Sequence, residues 1–409
     1  MISGKRILYV THRFPYPPAG GAKVRAYHAI RHLAQRNRVT VAAPVRDAAE
    51  QAAVSDLAAA EGVEVLAAAI SAPRALVQSA ACAAVAEPAS MGYFRPPGLV
   101  RRLRRWMADA VPDLIIVHCS SVAPWVAHAP VPKVLDFVDM DSQKWRDYAS
   151  FSGLPASLVY RWEARNLARA EARLARAFDL CLVTTEFERE SLYAIAGEVA
   201  AEVVRNGVDL DYFAPLDGPH DPDLVCFVGR MDYLPNARAM VRFCEEVLPL
   251  IQRVRPQARL RIVGAAPGPE VRALADRPGV EVTGTVDDVR PHVGRAALTV
   301  APLSIARGTQ NKVLESMAMG VPVVASSLAA RGVDMEPGTH LLVADGAQET
   351  ARAVLMLLGD SGDRQRFAAA ALARVRTIYP WSESQRLLES ALEAVLTRRR
   401  ALQKGGGGG

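Results

Sequence analysis

No stretch of this chain is apolar for long enough to cross a bilayer, which takes roughly 20 residues. The longest uncharged alanine-rich piece, Ala75 to Ala86, falls short of that. The opening Arg6-Ile7-Leu8-Tyr9-Val10 reads as a short strand and lacks the longer apolar region of a secretion signal. The cysteines are Cys82, Cys119, Cys181, Cys226 and Cys244, an odd number without a C-x-x-C pair. Buried, reduced thiols in a cytoplasmic protein fit this pattern best. Neither half contains G-x-G-x-x-G, which disfavours a nicotinamide oxidoreductase. H-x-H and C-x-x-C spacings are missing, so no metal site is expected. No period of roughly 20–50 residues marks a repeat array. The formal net charge of +6 is modest for 409 residues, and no strongly basic domain stands out. A nucleic-acid partner is therefore not expected, whereas acidic substrates or an anionic membrane surface are compatible with the charge.

What is present is a globular composition, half apolar, on a chain long enough for two cores. Short apolar runs alternate with helical patterns such as Lys23–Ala34 and Trp162–Ala177. The first set is Ile7–Thr11, Val39–Ala43, Val63–Ala67, Leu114–His118, Val134–Phe137, Leu180–Thr184 and Glu202–Arg205. After a polar stretch rich in Pro and Gly the pattern restarts with Leu224–Gly229, Leu260–Val263, Val280–Thr283, Leu298–Pro302, Val321–Ala325 and His340–Val343. This predicts an α/β protein with two Rossmann-like halves, each a parallel sheet covered by helices. The expected boundaries are 1–206, a linker at about 207–223 within a second domain of 207–380, a last helix in 381–404, and a flexible glycine tail at 405–409.

The most informative segment runs from Arg307 to Ser326. It predicts a helix opened by Gly308 and Thr309 and stopped by Gly320, followed by a buried strand. Val313, Leu314, Met317 and Ala318 form its apolar face, with Lys312 and Glu315 on the polar one. Free amides, a cation and a carboxylate at one helix start suit a nucleotide diphosphate, the Lys for phosphate and the Glu for ribose hydroxyls.

This segment resembles the donor-binding signature of retaining glycosyltransferases of family 4, in which two Glu are separated by seven residues ahead of an Ala-Met-Ala-x-Gly-x-Pro-Val-Val-Ala-like run. Glu315 matches the second Glu, and the first position holds Arg307. The wording Ile305-Ala306-Arg307-Gly308 and Gln310-Asn311-Lys312 is similar to sugar transferases associated with PEP-CTERM and exopolysaccharide systems of bacteria. The resemblance covers about Arg6 to Arg398 and implies the GT-B fold, two such domains facing each other across a cleft.

Other motifs have two readings each. Gly20-Gly21 before a helix suits an anion cradle or a plain loop. The resemblance adds Gly20, Gly21 and Arg25 to the donor phosphates. His118 ends a strand at the edge where ligands bind in α/β sheets, and a satisfied structural histidine fits the pattern too. The resemblance implies a reaction-centre role for His118; His12, at the end of the first strand, is a second candidate. Asp136, Asp139 and Asp141 crowd six residues. They suit capping, or contacts from Asp139 and Asp141 to acceptor or sugar hydroxyls. Asn206-Gly207-Val208-Asp209 resembles the family's hinge. Gly229 and Arg230 suit close approach to phosphate, with Arg230 and Lys312 as the two cations. Gly284 to Asp288 looks like the base-recognition loop. In Pro97–Met107, Arg101, Arg102, Arg104 and Arg105 alternate with apolar residues, as in a packed surface helix or one lying on anionic lipid.

The resemblance thus implies a retaining, metal-independent sugar transferase without a cofactor. Its donor is a nucleotide sugar and its acceptor a glycan or lipid-linked sugar, with peripheral contact to the inner membrane as a further expectation. A nucleotide-sugar epimerase and a silent nucleotide-binding scaffold would share the fold.

Overall fold

The computed structural model describes residues 2–18 and 21–405, apart from the side chains of residues 22 and 402–405. Two compact units result. One comprises the chain up to Arg205 and from Ser384 onward; the other is Asn206–Glu383.

The first unit is built on seven parallel strands: β1 (Arg6–Thr11), β2 (Arg38–Val45), β3 (Glu64–Ala69), β4 (Leu114–His118), β5 (Lys133–Val138), β6 (Leu180–Val183) and β7 (Ala201–Val203). Their order is β3-β2-β1-β4-β5-β6-β7. Apolar residues run without polar interruption through β4 up to His118 because both faces are covered. Leu8, Val10, Ile115 and Val117 point into one core, and Ile7, Tyr9, Leu114 and Ile116 into the other. The strand order reverses between β1 and β4, which opens a crevice at their carboxyl ends. The register there sets Thr11 beside His118 and His118 beside Asp136. The last helix, Trp381–Gly405, adds Leu388, Ala391, Leu392 and Val395 to the second of these cores. Residues 406–409 of the expected tail lie outside the described residues.

The second unit has six parallel strands: β8 (Asp221–Val228), β9 (Arg259–Val263), β10 (Val280–Gly284), β11 (Ala296–Ala301), β12 (Val323–Ala325) and β13 (Leu342–Val343). Their order, β10-β9-β8-β11-β12-β13, reverses between β8 and β11.

Three local expectations change. The linker is shorter, because β8 begins at Asp221, whose amide donates to Arg295 O at 2.7 Å. The signature helix is Asn311–Ala318 and does not start at Gly308. Gly308 has φ +58°, a left-handed conformation that an α-helix does not contain. Finally, Cys82 is half-buried, unlike the four buried thiols. The basic helix, Pro97–Asp109, is a packed one: Leu99, Val100 and Leu103 are buried, and Trp106 Nε1 donates to Glu64 at 2.9 Å.

Candidate functional site

In the second unit the reversal point holds a cradle. Gly229 follows β8, and a Cβ placed on it would lie 2.6 Å from Asn236 Nδ2 and 3.1 Å from Lys312 Nζ. Only glycine leaves these side chains where they are. Lys312 stands in the first turn of the Asn311–Ala318 helix. Its ammonium donates to Asn236 Oδ1 at 2.6 Å, and Asn236 Nδ2 donates to Arg230 O at 2.9 Å. The ammonium also lies 4.4 Å from the centre of the Phe227 ring, a cation–π contact. Burial pushes the Lys312 pKa down to about 7 against the opposing pull of Glu315. Burial likewise pushes Glu315 up to about 7, opposed by Lys312. The pair is thus poised to change protonation near neutrality when an anion or a hydroxyl arrives.

Arg230 is largely exposed and paired with Asp232, Nη2 to Oδ2 at 2.6 Å. A surface pair of this kind contributes little and exchanges readily for a phosphate. The carbonyl of Arg307 accepts from Gln310 Nε2 at 3.0 Å. A Cβ on Gly332 would lie 2.3 Å from Gly308 O, so the Arg307-Gly308 loop is seated closely on Gly332. At the start of the unit, Asn206 Nδ2 donates to Asn311 Oδ1 at 3.4 Å, and Gly207 lies against Trp381, where no Cβ fits. Asp288 is held by Arg290, which stacks 3.9 Å above the Tyr212 ring.

In the first unit the structure brings His12, His118 and Asp136 to the β1–β4–β5 edge. The His12 and His118 rings stack at 6.0 Å. His118 is fully buried, and its Nδ1 lies 3.3 Å from Asp136 Oδ2, close in distance but off a hydrogen-bond line. Its Nε2 has no protein partner among the described residues. His12 Nδ1 is likewise unpartnered, and burial, then His118 and Arg13, push its pKa well down. Cys119 at φ +85° and Val138 at φ +66° follow this edge directly. Both are left-handed, and for β-branched Val138 that is a strained conformation. The Asp136 carboxylate helps hold this bend, accepting from Val138 N at 3.2 Å.

Arg25 corrects an expectation. It is buried, donates Nε to Asp136 Oδ2 at 2.7 Å and Nη2 to Oδ1 at 3.2 Å, and reaches Val204 O at 2.8 Å. The guanidinium is a structural partner within the fold, not a free phosphate cation. Burial works against the charge on Asp136, but Arg25, followed by His118, holds its carboxyl well below the usual range. Gly21, exposed, opens the Gly21–Ala34 helix, and Gly20 lies outside the described residues.

Neither Asp139 nor Asp141 caps the Asp141–Ser150 helix, whose N-cap position is Met140. The amide of Met140 donates to buried Glu188 at 2.7 Å and that of Ser142 to buried Glu171 at 3.2 Å. Burial, then Glu188 and Asp141, push Asp139 up to about 7. Asp141 lies 3.7 Å from Lys144. Among the described residues no group of three or more His, Cys, Asp or Glu is placed to hold a metal ion.

Sequence reasoning missed Asn236, Phe227 and Asp136 as parts of these sites. An Asp inside an apolar strand is a buried charge that needs a partner, and Asp136 could have been found on that ground. Asn236 carries no such signal.

A family model described as glycosyl transferases group 1 matches residues 222–360, and one described as glycosyltransferase family 4 matches residues 19–212. The D-inositol 3-phosphate glycosyltransferase of Kribbella flavida is 31% identical over 226 residues, covering 49% of this chain and 53% of that protein. The phosphatidyl-myo-inositol mannosyltransferase of Mycobacterium leprae is 28% identical over 316 residues, covering 74% and 78%. The chain therefore spans about half the length of the first relative and more of the second. Among solved structures, Anabaena HepE in complex with UDP and glucose matches with a TM-score of 0.68 at 16% identity, covering 95% of this chain and 100% of that one. Sucrose-phosphate synthase from Thermosynechococcus elongatus matches with 0.68 at 15% identity, covering 98% of both. These likenesses show the fold, two Rossmann-like domains of the GT-B class. The family models and relatives support a glycosyltransferase of the family-4 type.

Proposed function

We propose that this protein is a retaining glycosyltransferase that moves a sugar from a nucleotide diphosphate to a glycan or lipid-linked acceptor in bacterial exopolysaccharide or envelope biosynthesis. The observation that carries the reading is the Gly229–Asn236–Lys312 cradle at the strand-order reversal of the second unit, with Glu315 one helical turn away. Lys312 and Arg230 meet the negative charge that grows on the departing diphosphate, so they act on the transition state. Glu315 accepts hydrogen bonds from the ribose hydroxyls. In the first unit, His118 addresses a hydroxyl of the sugar or acceptor through its unpartnered, buried Nε2 once the neighbouring His12 ring moves aside. The bond from the anomeric carbon to phosphate breaks on the face where the acceptor oxygen bonds, and the leaving phosphate takes the acceptor proton. No metal enters this scheme.

The relatives named above act, by name, on inositol phosphate and phosphatidyl-inositol, which supports a hydroxyl acceptor carrying phosphate. The PEP-CTERM setting stays part of the proposal. No described helix is long and apolar enough to cross a membrane. The test is a thermal-shift screen of nucleotide sugars, followed by mass spectrometry of lipid and glycan acceptors with the stabilising donor, with and without EDTA. A saturating ligand stabilises by roughly 3 kcal/mol at 100 times its dissociation constant. Transfer with the anomeric configuration kept, unaffected by EDTA, is expected. An isomerised sugar formed without acceptor would mean an epimerase, and binding without turnover a scaffold.

A further inference from the structure

We infer that the outward face of the Ala156–Ala177 helix docks on an anionic lipid bilayer, its apolar start entering the acyl boundary and its arginines pairing with lipid phosphates. The helix packs Leu167, Ala170, Leu174 and Ala175 into the core of the first unit. Both of its acids also turn inward. Glu163 accepts from Ala89 N, Ser90 N and Ser90 Oγ at 2.6–3.0 Å, and Glu171 from Ser142 N. The outward face therefore has no acid of its own.

That face carries Leu158, Trp162, Arg165, Arg169, Arg173 and Arg176, spaced by three or four residues along one stripe. Leu154, Leu158 and Val159 are 77%, 58% and 61% exposed, an unusual density of bare apolar surface. Next to them, Tyr93, Phe94, Trp145 and Trp162 help line an apolar groove of about 750 Å³. Further along, Arg146, Arg161, Arg165, Arg169, Arg173 and Arg176 line a groove of about 700 Å³. Arg173 pairs with Glu87 at 2.7 Å, whereas Arg161, Arg165 and Arg169 have no acidic partner among the described residues. An apolar end with tryptophan at the boundary and unpaired guanidiniums behind it complements an anionic bilayer in both charge and polarity. Nucleic acid would leave the apolar end unmatched.

The proposal does not rest on the sugar-transfer reading, because it is tested without a sugar nucleotide. The full chain is sedimented with vesicles of phosphatidylcholine alone and of phosphatidylcholine mixed with phosphatidylglycerol. Binding to the mixed vesicles only, weakened by salt, is expected. Replacing Arg161, Arg165 and Arg169 together by Gln should weaken it on the order of 100-fold, given the contribution of each basic residue near an anionic surface. Leu158→Ser with Val159→Ser should weaken it as well, with the unfolding temperature little changed because these positions are 58% and 61% exposed. The proposal is overturned if the native chain ignores mixed vesicles, or if the arginine variant binds them like the native chain. Loss with the arginine variant but none with the apolar one, together with tight binding to duplex DNA, would reassign the stripe to nucleic acid.

Discussion

His118 and Asp136 stand opposite each other on neighbouring parallel strands, Nδ1 to Oδ2 at 3.3 Å, and the same carboxylate oxygen receives Arg25 Nε at 2.7 Å. One buried carboxylate thus sets both a candidate reacting histidine and a structural guanidinium. Arg25→Met should destabilise the first unit by about 3–5 kcal/mol, the cost of leaving a buried charge alone. Urea unfolding measures it. Folding lowers the Asp136 pKa, so its stabilising contribution is complete above the unfolded carboxylate range and is lost as pH falls through and below it. In Arg25→Met that acid limb should flatten. An unchanged acid limb would show that the pair contributes nothing on folding.

His118 itself should matter to turnover and not to donor affinity. His118→Gln keeps a polar side chain of similar size in the buried position and removes the imidazole. If Nε2 addresses a hydroxyl in the transition state, kcat falls by roughly 100-fold or more while KM for the donor barely moves. A change confined to KM would make His118 a binding group only.

Lys312 and Glu315 should exchange protons with opposite signs when the donor binds. Both titrate at about 7, Lys312 lowered and Glu315 raised by burial. A diphosphate raises Lys312 and takes up a proton, whereas ribose hydroxyls favour the ionised Glu315 and release one. Near pH 7 the native chain should show little net proton exchange in calorimetry across buffers of different ionisation enthalpy. Lys312→Met should release protons and Glu315→Gln should take them up. Affinity in Glu315→Gln should therefore fall as pH rises through the range where Lys312 loses its charge, a range below the native value because the raising pull of Glu315 is gone. Identical buffer dependence in all three proteins would remove the pair from the site.

Much of this was legible in the sequence because parallel strands, buried on both faces, write themselves as apolar runs. Leu114–His118 is the clearest, and the observed β4 has those bounds. What escaped depended on contacts between distant segments. Asn236 holds Lys312 across 76 residues of sequence. Arg25 finds Asp136 across 111 residues, and no local pattern tells a guanidinium destined for a carboxylate from one kept for a phosphate. The bends at Cys119 and Val138 were equally invisible, since neither residue type favours positive φ. The start of the signature helix was misplaced because Gly308 fits a helix opening and a left-handed loop alike, and tertiary packing on Gly332 selects the loop.

Gly229→Ala should weaken donor binding with a small effect on stability. The new Cβ meets the ends of Asn236 and Lys312, side chains that can shift and that hold the cradle. Gly264 is the contrasting case, since its Cβ would sit 1.8 Å from the Gly229 carbonyl, backbone that cannot yield. Gly264→Ala should unfold the second unit at far lower temperature. Equal thermal loss in both variants would contradict this division.

Arg307 occupies the position where the resembled signature has a glutamate, and this is where donor choice should show. A carboxylate there would accept hydrogen bonds from sugar hydroxyls, whereas a guanidinium only donates them and pairs bidentately with an acidic group. The Arg307 carbonyl accepts from Gln310 Nε2, and the next residue, Gly308, is left-handed, so the loop backbone is held on both sides of this position. Arg307→Glu should change donor preference, and urea unfolding of the variant controls for any contact the side chain makes within the fold. With an anionic, uronic-acid-type donor, kcat/KM should fall by roughly 10–100-fold, the loss of one charge-assisted pair of about 1.5–3 kcal/mol. With a neutral hexose donor it should hold or rise. The measurement is a competition between the two donors for one acceptor, before and after the substitution. A ratio that does not move would place Arg307 outside the donor site.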